Sequence, residues 1–281
     1  HLLHLDQPLL EINITPDRGY TLSYRGVARE YHHSTGAAYT DPAVALNEKA
    51  PEPADYQPGT PVDIDVEIDD NNPIHGVPGC DRYYARIVKD FNPNAHTPNW
   101  MRRRLIRAGM RSISLAVDVT NYVMYLTGQP LHAFDLGKLT ERDGRRHIVV
   151  RAAHDGEKLV TLDGQKRELT SDMCLITDDG HTPVALAGVM GGMDSEITED
   201  TTDVLLESAN FSSGHTSRTS RNLDLMSEAS IRYERKVDGS NCANVAQIAA
   251  ALFEECCGAE VCPGIVDVYP GEADDAPVQI T

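Results

Sequence analysis

The chain has 281 residues and a net charge of −18, with 43 acidic against 25 basic side chains, 41% apolar and 24% charged residues. That length supports one large domain or two smaller ones, and the composition is that of an ordinary globular protein. The acidic balance disfavours a protein that grips nucleic acid along a long backbone footprint while leaving contact with one chain end open, and no apolar run approaches the roughly 20 residues of a membrane span.

His1 to Asp6 lacks the basic region and cleavage site of a signal peptide and reads as the start of a piece cut from something longer. Leu9 to Ile14 alternates apolar and polar residues like a strand, and Pro16-Asp17-Arg18-Gly19 turns the chain. Ser23 to Thr35 has helical spacing, with Leu22, Val27 and Tyr31 on one face, Ser23 as N-cap and Gly36 as stop. Thr40 to Pro61, rich in Ala, Pro, Glu and Asp, reads as a linker. Val62 to Ile68 is a strict period-two strand, and Tyr83 to Val88 is a further strand. Thr97-Pro98 opens a helix through Trp100 to Ala108, with Thr97 as cap and Gly109 as end. Ser114 to Val119 leads into a helix over Asn121 to Leu126 that Gly128 stops. Short strands follow at Ile148–Ala152, Glu157–Leu162 with the Asp163-Gly164 turn, Cys174–Thr177, Val184–Val189 and Val204–Ser208. Helices are expected at Ser213–Asn222 and Asn241–Cys257, closed by Gly258, then a strand at Val261–Tyr269 and a linker from Gly271 to Pro277. The class is α+β, with largely antiparallel sheets and flanking helices.

Six cysteines without a C-x-x-C pair predict reduced cytosolic thiols rather than zinc or a disulfide scaffold, with Cys256 and Cys257 in the core. Basic clusters stand at Arg102, Arg103, Arg104, Arg107 and Arg111, and at Arg218, Arg221, Arg232, Arg235 and Lys236. Either a solvated helix face or a contact surface accounts for them. No nucleophile–base pair, phosphate loop or metal-ligand spacing is present. His132 follows Pro130 after a helix and turn, and Glu207 ends the apolar run Val204-Leu205-Leu206. Gly188, Gly191 and Gly192 either bring backbone close to a ligand or only make a turn.

Taken in order, Pro16-Asp17-Arg18-Gly19, Ser23 to Glu30, Asp118-Val119-Thr120-Asn121-Tyr122-Val123, Gly128-Gln129-Pro130-Leu131-His132-Ala133-Phe134-Asp135, Leu186 to Gly192 and Arg232-Tyr233-Glu234-Arg235 carry a resemblance. With their spacing, they resemble the β subunit of bacterial phenylalanyl-tRNA synthetase over nearly the whole chain. The resemblance implies an interior fragment: a partial N-terminal domain at 1–45 (the returning half of a split domain), a linker at 46–61, an editing domain at 62–270, and a linker or the start of the next domain at 271–281. It implies post-transfer editing, the hydrolysis of tyrosine wrongly esterified to phenylalanine tRNA by a positioned water. Ligase activity would belong to the complete enzyme, an aminoacyl-tRNA synthetase, with ATP and magnesium; no cofactor or metal is expected in the fragment.

The same resemblance assigns roles. Glu207 accepts the tyrosine hydroxyl, helped by backbone at Gly191, and His132 either orients the water or serves as base. Pro130 lines the pocket, Arg111 positions the terminal adenosine or its phosphate, Thr120 and Asn121 form a neighbouring wall, and Ala229 leaves room for the ring beside Ser227. Ser227, Ile231 and Lys236 depart from the family pattern, which puts the tightness of the pocket in doubt. Expected partners are the aminoacylated 3′ end of phenylalanine tRNA and the α subunit, in a heterotetramer of two α and two β subunits, in the cytoplasm. Neither a membrane nor DNA is expected. A tRNA-binding scaffold with decayed editing is the second reading; a free-standing deacylase is disfavoured by the Thr15 to Gly19 module.

Overall fold

The computed structural model describes residues 8–42, 62–69 and 72–270. Most of the linker expected at 40–61 and all of that at 271–277 lie outside the described residues. The architecture has three layers. Helices α2 (Asn99–Arg107), α3 (Leu115–Thr127) and α6 (Cys242–Cys257) cover one face of a four-stranded sheet, whose other face packs on a six-stranded sheet.

Helix α1 (Tyr24–Thr35) begins at Ser23, whose side chain accepts from Gly26 N–H, and ends at Gly36 in the left-handed region. Its expected apolar face is not a core face. Among its residues only Gly26 is buried, and Tyr31 is exposed. The strand expected at Leu9–Ile14 is not formed either. Leu9, Leu10 and Ile12 are exposed, and alternation makes a strand only where another edge supplies hydrogen bonds; none does among the described residues.

The four-stranded sheet runs β12 (Glu260–Val268), β2 (Cys80–Lys89), β11 (Val204–Phe211), β3 (His132–Asp135), every neighbour antiparallel. The other sheet orders β1 (Ile64–Asp69), β5 (Arg145–Ala152), β8 (Cys174–Asp178), β9 (Thr182–Leu186) and β10 (Met190–Gly191), with β4 (Glu141–Arg142) on β5. Its β1–β5 pair is parallel, an exception to the expected antiparallel pattern. A separate hairpin joins β6 (Lys158–Val160) to β7 (Lys166–Glu168) through Asp163-Gly164, with Gly164 at φ 77°. Two short helices, α4 (Ser213–Asn222) and α5 (Glu228–Glu234), pack on each other beside these sheets.

Period-two burial on β11 assigns its two faces. Val204 and Leu206 join the cluster under the helices with Met101, Val119 and Phe253, while Leu205 and Ala209 join the inter-sheet cluster with Tyr83, Ile148 and Ile176. Apolar residues on both sides explain why β2 reads as a continuous run rather than an alternating one.

Helix α3 starts six residues earlier than its expected Asn121 boundary. The β-branched stretch Val117, Val119, Thr120 is locally unfavourable to helix, but Val119 packs in the core and Ser114 caps the N-terminus. Asp118 is fully buried and accepts from Thr97 Oγ1, Ser112 Oγ and Ile113 N–H. Thr97 therefore does not cap α2, whose N-cap is Pro98. Removing this acceptor strands three donors, so Asp118→Ala is expected to cost about 2–3 kcal/mol, read from the urea midpoint of the intact chain. The six cysteines are free thiols; Cys256 and Cys257 are half-buried and pack against the core cluster under the helices.

Candidate functional site

His132 and Glu207 are brought together by register. They are directly opposite on β3 and β11, so their side chains share the inter-sheet face, with Cβ atoms about 4.5–5.5 Å apart. Sequence reading placed His132 after a turn and did not see β3 as a strand. That short edge strand decides which way the imidazole points.

Both groups line one cavity with Pro130, Gly191, Ala229, Tyr233 and Phe211, closed from the other sheet by Ile176 and Ala185. It leaves about 60 Å³ for the centres of water-sized molecules, room for roughly four to six waters. Glu207 is only 4% exposed, and its Oε2 has no hydrogen-bond partner among the described residues. Burial pushes its carboxyl up to about 8 and pulls the His132 imidazole down to about 4. At neutral pH the cavity thus holds a mostly protonated acid and a neutral imidazole. The Phe134 ring meets that imidazole edge-on, with centroids 4.4 Å apart.

The glycine turn is shaped by what lies against it. A Cβ on Gly191 would sit 2.5 Å from His132 Cε1 and 2.7 Å from Nε2, so only glycine lets the ring lie on the backbone. Gly188 has φ 71°, a left-handed conformation that favours glycine. Ser227 holds this turn in place: its Oγ donates to Val189 O at 2.7 Å while accepting from Ser230 N–H at 3.0 Å. A reciprocal capping box of Ser227 and Ser230 starts α5, a helix that sequence reading missed because serine stands where the usual Glu or Gln signal would be. Ala229 reaches the cavity from its first turn. Gln129 secures the opposite wall, its Nε2 donating to Ala209 O at 2.7 Å and to Pro130 O at 3.1 Å. Tyr233, whose hydroxyl donates to Ala209 O at 2.9 Å, was quoted in a motif but not foreseen as a wall.

Four predicted site residues do not line this cavity: Arg111, Thr120, Asn121 and Ser227, the last holding the glycine turn from behind. Arg111 is exposed between α2 and α3. Thr120 is buried, its hydroxyl directed to Ala116 O and Val117 O of its own helix, and Asn121 is half-buried on that helix. No cluster of three His, Cys, Asp or Glu able to hold a metal occurs among the described residues, and none of their helices is long and apolar enough to cross a membrane.

Residues 79–258 match the family model described as the B3/4 domain. The phenylalanine–tRNA ligase beta subunit of Bifidobacterium longum (strain NCC 2705) is 71% identical over 258 residues, covering 90% of this chain and 29% of that protein. Its counterpart in Thermobifida fusca (strain YX) is 47% identical over 268 residues, covering 95% of this chain and 30% of that protein. The chain thus spans about three tenths of the length of these curated relatives. Among solved structures, an N-terminal fragment of the phenylalanyl-tRNA synthetase beta subunit from Pyrococcus horikoshii aligns over 74% of this chain and 60% of that chain, at TM-score 0.40 and 12% identity, too loosely to support an argument. The strands that carry Glu207 and His132, and the helix that carries Ala229, all fall inside the 79–258 match, and the chain belongs to the B3/4 domain family.

Proposed function

We propose that the cavity is a hydrolytic editing site that removes tyrosine esterified to phenylalanine tRNA. The observation that carries this reading is the buried, unpartnered Glu207 carboxyl sharing a small cavity with His132 and the Gly191 backbone. The names of the relatives support the substrate class. An apolar pocket shaped for phenylalanine rejects an isostere with one added hydroxyl by only about 100-fold, whereas a site that hydrogen-bonds that hydroxyl rejects phenylalanine by about 10⁴-fold or more. The asymmetry arises because a buried acceptor without its donor loses a hydrogen bond and stays desolvated.

In this reading the ring enters between Ala229 and the Gly188–Gly191 turn, and the phenol donates to Glu207. The donor favours the carboxylate, so binding lowers the acid's pKa from about 8. The ester then lies toward the mouth beside His132. An imidazole lowered to about 4 is a weak base at neutral pH, so this group orients the attacking water through a hydrogen bond rather than taking its proton outright. An aminoacyl ester is already reactive, and holding it beside one water supplies much of the rate.

The partners that follow are the 3′ end of phenylalanine tRNA and, in the complete cytoplasmic enzyme, the α subunit; ATP and magnesium belong to that enzyme's ligase step. The test is release of tyrosine from tyrosyl-tRNA by the purified chain, above the rate without protein and above that from phenylalanyl-tRNA. Equal rates with and without protein sink the reading. Gly191→Ala forces the imidazole off the backbone and is expected to slow release by about tenfold or more, with the far-ultraviolet spectrum unchanged.

A further inference from the structure

Two polar atoms of the inter-sheet core lack a partner on the same face of the four-stranded sheet. Glu207 Oε2 and the Tyr83 hydroxyl are both buried, and neither is hydrogen-bonded among the described residues. Register makes them neighbours. Glu207 is opposite Ala85 and Tyr83 is opposite Ala209, two positions along, so both side chains rise on the face that His132 shares. Diagonal residues of such a pair have Cβ atoms within about 7–8 Å, inside the reach of a tyrosine. The other two corners of this square, Ala85 and Ala209, end at Cβ, so neither strand places a bulky side chain between them. Burial first and the Glu207 charge second hold the Tyr83 phenol well above its ordinary range, which means the two groups sense each other.

A buried hydroxyl without a partner is destabilising, and so is a buried carboxyl oxygen. One hydrogen bond between them would relieve both, and none is made among the described residues. A protonated carboxyl attracts a phenol weakly, whereas an ionised one accepts strongly and at several lone pairs. We infer that Tyr83 is a positioning residue for Glu207, its O–H donating to the carboxylate once that group ionises and holding the charged acceptor for a hydroxyl of the ligand in the cavity. This rests on the editing reading for the identity of the ligand, but not for the Tyr83–Glu207 contact itself.

The other titratable groups around Glu207 do not replace this donor. Tyr233 on α5 already donates to Ala209 O. His132 on β3 is neutral near pH 7, and Cys80 on β2 is a thiol whose pKa burial raises, with its Sγ–H directed to Arg82 O. The six-stranded sheet brings Ile176 and Ala185, which carry no charge.

The experiment follows the infrared carbonyl band of the protonated Glu207 carboxyl against pH in the purified chain, the band being assigned by its loss in Glu207→Gln. Tyr83→Phe removes one oxygen and is expected to move the midpoint up by about one pH unit. In deacylation of tyrosyl-tRNA, kcat/KM should fall about tenfold at pH 7 and rejoin the unsubstituted protein above the new midpoint. A purely packing role would leave the midpoint unmoved, and superimposable titrations overturn the inference. Should Tyr83→Phe fail to fold, 3-fluorotyrosine placed at position 83 by codon suppression keeps the shape and strengthens the donor. The midpoint must then fall; an unmoved midpoint again overturns the inference. A shifted midpoint in a protein that releases no tyrosine supports the Tyr83–Glu207 contact and refutes the editing reading.

Discussion

Glu207→Gln is expected to melt at a higher temperature than the unsubstituted chain at pH 7, and Glu207→Ala to lose the tyrosine release proposed for the cavity. The stability gain follows from linkage. The Glu207 carboxyl titrates near 8 in the folded chain against an ordinary value of 4.5. A raised folded-state pKa contributes stability that is fully present below about pH 4.5 and is lost as pH climbs through 8. By pH 7 the loss is on the order of 3 kcal/mol, at 1.36 kcal/mol per unit. Glutamine removes the ionisation but leaves a buried amide with unmet hydrogen bonds, which returns about 1–2 kcal/mol. The net gain is about 1–2 kcal/mol, or several degrees for a chain of this size. It should grow from pH 5 to pH 8, because only the unsubstituted protein loses this contribution over that window. Melting curves that run parallel across the range would show that Glu207 is not buried as described. The activity loss comes from the other side of the same fact: alanine leaves the phenol of the proposed substrate with no acceptor in a buried cavity. A hydrogen bond to a charged group contributes about 1.5–3 kcal/mol, so release should fall about 10- to 100-fold.

Filling the cavity should have a comparable effect by a different route. Ala229 lines it from the first turn of α5, and the free space is that of a few waters. An indole at this position occupies the volume the proposed substrate ring needs, so on the editing reading Ala229→Trp is expected to reduce tyrosine release to the rate without protein. Ala229 is half-buried, and the new side chain has the cavity to enter, so the cost to folding stays within the 1–3 kcal/mol typical of overpacking. The readout pairs the deacylation rate with the melting temperature: a folded but inactive variant is expected. Full activity in a folded Ala229→Trp protein would mean that the substrate binds elsewhere.

Much of the fold is legible in the amino-acid sequence, for local reasons. Period-two and helical spacing, the Ser23 cap and the glycines at 36, 128 and 258 act within a few residues, and the helices they bound are present. The Tyr83–Val88 part of the Cys80–Lys89 strand, buried on both faces, is recognisable from its β-branched and aromatic residues. The errors lie where a distant partner decides the outcome. Leu9–Ile14 has the pattern of a strand but no edge to pair with among the described residues, and α3 extends through a β-branched segment because the core beneath it is apolar.

The candidate site divides along the same line. Its residue types were present in the sequence as Pro130, His132, Gly191, Glu207 and Ala229, and only a family resemblance grouped them, since they lie on four elements and a turn far apart in the chain. The tertiary structure decided that these five share a cavity while Arg111, Thr120 and Asn121 do not line it. It also decided that Glu207 faces His132, that Gly191 admits the imidazole and that Tyr83 stands beside the carboxyl without a partner. The amino-acid sequence by itself determined the α+β class, most element boundaries and the stock of chemical groups, because propensity, capping and periodicity are short-range. Strand register, burial and the pKa shifts that follow from it depend on which segments meet across the sheets, and those long-range contacts exist only in the folded chain.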